Sequence, residues 1–277
     1  MQINLGKAFI GDAHRSFTLA GERSAALLIH GFPGTPAEVR SLGAVLHGQG
    51  MTIQAPLLPG FGPEIDNLAA YSHRDWLSTT EGVLLDLKTR HETVILGGYS
   101  MGGALALSLA ARQRVDGLVL MAPFTQIPHL LWYALPVIRV LMPRIKVFRL
   151  FKPDFADPEV RDGIATFLPG LELEDPDVQR MLLDFALPTA ILDEVRKLGN
   201  IGWTSAQAID APVLVLQGLH DETADPRLTR RLIERFKGSV RYVEIDTAHD
   251  LLDPHDESWP QIETEIISFV RSIVDEG

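Results

Sequence analysis

The chain has 277 residues, with 25 Lys and Arg against 36 Asp and Glu, for a formal charge of −11. Its length predicts one main core carrying an insertion, and the 46% hydrophobic and 22% charged fractions exclude a disordered, collagen-like or coiled-coil chain. The acidic surplus leaves no footprint for phosphate backbones, so a neutral substrate is expected rather than nucleic acid; with no cysteine, disulfides, Cys-ligated zinc, iron–sulfur clusters and thiol catalysis are excluded.

Residues 1–19 scatter Lys7, Asp12, His14 and Arg15 among apolar positions and offer no signal-peptide core, so the mature protein is expected to begin here and to be cytoplasmic. Stretches near Ala8 and Phe17 predict a leading hairpin. Beyond them, short apolar runs at 25–30, 51–55, 93–98, 117–122, 212–218 and 240–245 read as strands. Between these, 37–49, 74–90, 101–112, 227–237 and 259–274 carry a helical period. Such alternation predicts a parallel sheet with helices on both faces. Strands buried on both faces are near-continuously apolar, as Val94-Ile95-Leu96 and Val213-Leu214-Val215-Leu216 are.

The rhythm breaks between Phe124 and Asp210, where helical patterns run without a convincing strand. The greasiest part, 130–142, is interrupted by Pro136 and Arg139 and falls short of the roughly 18 apolar residues a membrane span needs. Residues 124–152 carry Arg139, Arg144, Lys146, Arg149 and Lys152 and no acid, among Leu130, Leu131, Trp132, Leu135, Ile138, Leu141, Ile145, Phe148 and Phe151. Residues 154–177 then hold eight acids and one arginine. The bland expectation is that the apolar side chains pack the insertion on the core and the cations pair with those acids. The alternative is an acyl-chain pocket with a basic face that touches anionic lipid surfaces.

Gly98-Tyr99-Ser100-Met101-Gly102 stands where one apolar run ends and a helical pattern begins. In a G-x-S-x-G elbow the serine occupies a sharp strand-to-helix turn, and its neighbours are small because the backbone passes close to itself and to the following helix. Here the helix sets Gly103, Ala104, Ala106, Ser108 and Ala110 among Leu105, Leu107 and Leu109, so it can lie close on a sheet. Its N-terminus sets a partial positive charge beside developing negative charge. An ordinary strand-to-helix turn would match the five residues as well; the flanking pattern favours the elbow.

A serine hydroxyl is a poor nucleophile until a base removes its proton, so Ser100 needs a histidine and a group to orient it. On such a sheet the acid and then the histidine follow the serine, each in a loop at the C-terminal end of a later strand. Asp221 lies in the loop after 212–218, and His249 in the loop after 240–245. Glu222 and Asp225 compete with Asp221, which comes soonest after the turn glycine. His220 competes with His249 but precedes the acid. His14, His47, His73, His91, His129 and His255 read as surface or capping residues, and Asp250 and Asp253 lack the neighbours of a metal site. The oxyanion formed when Ser100 attacks a carbonyl needs two donors. Met101 offers its N–H at the helix start. In His30-Gly31-Phe32-Pro33-Gly34, Pro33 has no N–H, which leaves Phe32 as the second.

Together with Gly60-Phe61-Gly62 and Asp75-Trp76, these motifs resemble the α/β-hydrolase superfamily, in particular its bacterial carboxylesterase and monoacylglycerol lipase branch. The resemblance spans nearly the whole chain outside the insertion. It implies a mostly parallel central sheet with helices on both faces and a helical cap inserted after the sixth strand. The core is then 1–123 and 211–277, and the cap 124–210. It also implies Ser100 as nucleophile, Asp221 as acid, His249 as base, and Phe32 and Met101 as oxyanion donors. A single-glycine oxyanion loop is similar to that of members favouring medium or long acyl esters. One departure is Phe61, where the branch often has a histidine.

The expected activity is therefore hydrolysis of small-molecule carboxylic esters with an apolar acyl chain, through an acyl-enzyme, with no cofactor and no metal. Thioesterase, C–C bond hydrolase and perhydrolase use the same three residues, and a ligand-binding homologue without turnover belongs to another class. A serine at position 100 argues against the Asp-nucleophile epoxide hydrolases and haloalkane dehalogenases.

Overall fold

The computed structural model describes residues 5–274 except 128, 147, 150–152, 159, 162–163 and 165–171. The chain opens on a 3-10 turn, Leu5–Phe9, where one arm of a hairpin was expected. Its two large apolar residues fall four apart and are both buried, a spacing that a helix and a strand both allow, and the N–H groups of Leu5 and Gly6 donate to the carboxylate of Asp66 instead of to a strand. Strand β1 (Phe17–Leu19) is thus the first.

Strands β2 (Ser24–Ile29), β3 (Thr52–Ala55), β4 (Thr93–Tyr99) and β5 (Gly117–Met121) follow, and two more, β8 (Val213–Gly218) and β9 (Val240–Ile245), come after the insertion. The order is β1-β3-β2-β4-β5-β8-β9, and every pairing is parallel except that of β1 with β3. Every residue of β2, β5 and β8 is buried, which is why these strands read as unbroken apolar runs.

Helices α1 (Arg40–His47), α2 (His73–Arg90) and α3 (Met101–Ala110) come from the first half, and α7 (Pro226–Ile233) and α8 (Trp259–Val274) from the last part. The pattern at 37–49 begins as a 3-10 turn, Pro36–Val39, capped by the Thr35 side chain. Helix α1 packs against α8, and α2 against α3.

The insertion leaves after the fifth strand, since the hairpin contributes one strand rather than two. It contains α4 (Leu130–Leu141), α5 (Pro176–Asp184) and α6 (Thr189–Ser205), with two-residue strands β6 (Arg144–Ile145) and β7 (Leu187–Pro188) paired antiparallel. Elements that short leave no periodicity to read. Helix α6 lies along α3, and its Ile191, Val195 and Leu198 belong to the main core. A separate cluster joins Phe9 to Ile164, Leu173 and Leu182.

Three of the basic residues of 124–152 find acids other than those at 154–177. Lys146 and Arg149 both pair with Asp184 at 2.8 and 2.7 Å, and Arg139 pairs with the buried Asp193 at 3.0 Å. The β6–β7 pairing brings Lys146 and Arg149 beside the end of α5, so the nearest acids in space differ from the nearest in sequence. Phe151, Lys152 and the side chain of Leu131 lie outside the described residues. Helix α4 turns Trp132 and Leu135 inward but leaves Leu130 80%, Val140 74% and Leu141 76% exposed. Among the described residues no helix is long and apolar enough to cross a membrane.

Candidate active site

Ser100 is the single residue between β4 and α3, with φ 52° and ψ −118°, a conformation that residues with a Cβ rarely adopt. Three backbone hydrogen bonds hold it there. The Ser100 N–H donates to Met121 O at 3.0 Å, and Ser100 O accepts from Gly103 at 2.9 Å and Phe124 at 3.0 Å. Ala122, just beyond β5, also has positive φ and is fixed by its N–H to Leu216 O at 2.8 Å. The small residues of the motif have a steric reason. A Cβ on Gly102 would stand 2.1 Å from Ile29 O, so only glycine lets α3 start this close to β2.

The loops after β8 and β9 bring the other two side chains to Ser100. His249 Nε2 is 3.0 Å from Ser100 Oγ, and His249 Nδ1 is 2.7 Å from Asp221 Oδ2. Asp221 is buried, and its Oδ1 accepts from the N–H groups of Thr223 and Ala224, both at 2.8 Å. Its Oδ2 also accepts from Gln217 Nε2 at 3.0 Å, while Gln217 Oε1 accepts from Thr229 Oγ1 at 2.7 Å. The carboxylate is therefore aimed before the imidazole arrives. With Nδ1–H donating to Asp221, Nε2 is free to accept the serine proton.

The rivals lie elsewhere. Glu222 is exposed, and Asp225 caps α7 by accepting from the Arg227 N–H at 2.9 Å. His220 is exposed and meets Asp246 at 2.8 Å. His14 bonds to Thr35, His47 to the carbonyl of Met51, and His73 to Glu194. His91 is half-buried, and His129 and His255 are exposed. Asp250 and Asp253 accept from the backbone of Leu252 and His255, and among the described residues no three metal-binding side chains converge.

Met101 takes the first position of α3, where a backbone N–H has no acceptor inside the helix. Phe32 lies in the loop after β2, its peptide to Pro33 cis. That loop rests on His30, which is fully buried; Nδ1 donates to Gly31 O at 2.9 Å and Nε2 accepts from Leu58 N at 3.2 Å. The two bonds fix the neutral tautomer, and burial drives the imidazole pKa down to about 4. Phe61 is buried edge-on against His30, Phe32 and Trp76 at 5.2, 6.0 and 5.5 Å, so the residue that departs from the expected histidine packs the floor of this loop.

Two supporting residues escaped the sequence reading. Tyr99, the unspecified residue of the motif, lies 5.2 Å from the His249 ring and donates its hydroxyl to His249 O at 3.3 Å. Burial above all, then the charges of Glu38, Asp250 and Asp221, hold its phenol well above the usual range. Nothing in the motif marks it. Gln217 had a signal, a lone polar residue ending an apolar strand.

A seven-stranded, mostly parallel sheet with a serine on its strained strand-to-helix turn is the α/β-hydrolase fold. The model of the family described as serine aminopeptidase, S33 matches residues 21–253, and the chain belongs to that family. It is 38% identical over 84 residues to the thermostable monoacylglycerol lipase of Bacillus sp. (strain H-257), covering 30% of this chain and 34% of that protein. It is 34% identical over 106 residues to the carboxylesterase of Bacillus subtilis (strain 168), covering 38% and 43%. The matches thus span well under half the length of these curated relatives. A solved structure from the metagenome-derived lipolytic enzymes LipS and LipT superposes with a TM-score of 0.74 at 19% identity, over 94% of this chain and 98% of that one, a likeness of fold.

Proposed function

We propose that this protein is a carboxylic ester hydrolase acting through an acyl-enzyme on esters with an apolar acyl chain, monoacylglycerols among them. The observation that carries the reading is the hydrogen-bonded line Ser100–His249–Asp221, at 3.0 and 2.7 Å. In the first half-reaction His249 Nε2 takes the Ser100 proton as Oγ attacks the ester carbonyl, and the oxyanion is met by the N–H groups of Phe32 and Met101. The tetrahedral adduct expels the alcohol, which leaves with the proton from His249. In the second half-reaction His249 takes a proton from water, the hydroxide attacks the acyl carbon, and collapse returns the proton to Ser100 and frees the acid. Asp221 holds the imidazole in one orientation and stabilises its charged form. No cofactor or metal enters these steps.

The names of the two Bacillus relatives support the ester reading. Residues 124–210 form the cap in this reading. Phe124, whose N–H is bonded to Ser100 O, stacks edge-on with the inward-facing Trp132 at 5.7 Å, so α4 contributes an aromatic wall near the nucleophile. The test is a panel of p-nitrophenyl esters, monoacylglycerols, acyl-CoA and aminoacyl anilides. Wild type should cleave the esters fastest, and Ser100→Ala should lower kcat by roughly 10⁴ to 10⁶ with an unchanged melting temperature. A preference for acyl-CoA or anilides would transfer the same machinery to thioesters or amides, and an unchanged rate in the mutant would remove it.

The exposed apolar residues of α4 favour a further reading, contact with a lipid surface. Leu130, Tyr133, Val137, Val140 and Leu141 recur at helical spacing and are all more than half exposed. Because Arg139, Lys146 and Arg149 are already paired with acids, the attraction should come from apolar area and survive salt. Sedimentation with phosphatidylcholine vesicles at low and high salt should give equal binding, abolished by Val140→Asp with Leu141→Asp.

A further inference from the structure

The loop that carries Phe32 has a carboxyl group inside it. Glu38, on the 3-10 turn Pro36–Val39, folds back so that its Oε2 accepts from the Gly31 N–H at 2.8 Å. A Cβ on Gly34 would stand 2.0 Å from Glu38 Oε1, so the carboxyl lies flat against the Gly34 backbone. On its other side, a Cβ on Gly31 would meet Ser100 Cβ at 3.1 Å and Glu38 Oε2 at 3.4 Å. Gly31 thus packs beside both the nucleophile and the carboxyl, and Gly34 is small because Glu38 occupies the space that its side chain would need. Phe32 is the next residue along, and its N–H can point at an oxyanion only while this turn keeps its shape. The turn is tied to the histidine loop as well, since Ser41 Oγ donates to Leu252 O at 2.6 Å.

We propose that Glu38 is a positioning residue for ester hydrolysis: its carboxyl, held between Gly31 and Gly34, fixes the turn that presents the Phe32 N–H to the oxyanion. The proposal rests on the reading of the site given above. Every proton stays on its own group during turnover, so Glu38 acts only by accepting the Gly31 N–H. Around the carboxyl stand Asp250, from the loop after β9, and the Tyr99 phenol, from the end of β4. Burial chiefly, opposed by the Gly31 hydrogen bond and reinforced by the Asp250 charge, raises the Glu38 pKa to about 7. Asp250 is itself raised, mainly by burial. The acceptor that shapes the loop therefore titrates near neutral pH.

Two variants test it, with two readouts. Glu38→Ala leaves the Gly31 N–H without its acceptor. It should lower kcat toward a p-nitrophenyl ester about 10- to 100-fold, below the 10²- to 10³-fold cost of deleting an oxyanion donor outright, with KM changed less than about threefold. Glu38→Gln keeps an acceptor without a charge and should recover kcat to within about fivefold of wild type. In the ligand-free protein, the Gly31 amide should be protected from hydrogen exchange in wild type and Glu38→Gln and exposed in Glu38→Ala. Its ¹⁵N shift should titrate near pH 7 in wild type alone. An alanine variant with wild-type kcat, or one whose Gly31 amide exchanges as slowly as before, overturns the inference. So does a glutamine variant no better than alanine. A wild-type protein that cleaves no ester would sink the hydrolase reading, while amide exchange would still decide whether Glu38 holds the turn.

Discussion

His30 and Glu38 sit on either side of the same loop and carry opposite pH signatures. A buried imidazole whose pKa falls from 6.5 to about 4 stays neutral in the fold while the unfolded chain takes up a proton. The stability it supports is complete above pH 6.5 and is lost as pH drops, by about 3 kcal/mol at pH 4. Glu38, raised from 4.5 to about 7, holds its proton longer in the fold than in the unfolded chain. Its contribution is complete below pH 4.5 and declines as pH rises toward 7. Between these limits the two slopes oppose each other in the wild-type protein. Urea unfolding at pH 4.5, 5.5 and 7 should separate them. Relative to wild type, His30→Gln gains stability toward acid and Glu38→Gln gains it toward neutrality; parallel curves for all three proteins would refute both assignments. Neither residue's pH role is visible in the chain, because each depends on burial and on a neighbour from another segment.

At the scale of elements, the turn between β4 and α3 is the tightest joint. Gly102→Ala would push a methyl group onto the carbonyl of Ile29, in a strand buried along its whole length. A clash with backbone at the centre of the sheet belongs among the costliest substitutions, on the order of 4 kcal/mol or more, and the melting temperature should fall by about 10 °C. Calorimetry on the purified variant checks this, and a drop under about 2 °C would show that the sheet yields. This joint was legible from residue sizes alone. So were the long strands and helices, whose periods repeat often enough to be read. The turn at Leu5–Phe9 was not, because five residues with two large apolar members, four apart, fit either period. Strands β6 and β7 were illegible for the same reason, with two residues each. The ion pairs of Lys146 and Arg149 could not be read at all, since Asp184 approaches them only through that small strand pair.

Taken whole, the molecule gathers its candidate catalytic groups from the loops that leave β2, β4, β8 and β9 at one end of the sheet. That Ser100, Asp221 and His249 would converge could be anticipated from the sequence because chain order and strand-end position restrict them, whereas Tyr99 and Glu38 obey no such rule and emerge only from three-dimensional neighbours. The insertion between β5 and β8 is rooted at both ends. Its first residues are latched to the nucleophile through the Phe124 N–H, and its last helix, α6, is built into the main core. Both pivots are therefore welded. The first few residues of the insertion cannot act as a lever without unseating the serine. Hydrogen exchange should find the amides of Ala122 and Phe124 as slow as those of β5 while those of α4 exchange far faster; equal rates across the whole insertion would mean that it moves as one flap and drags the serine with it.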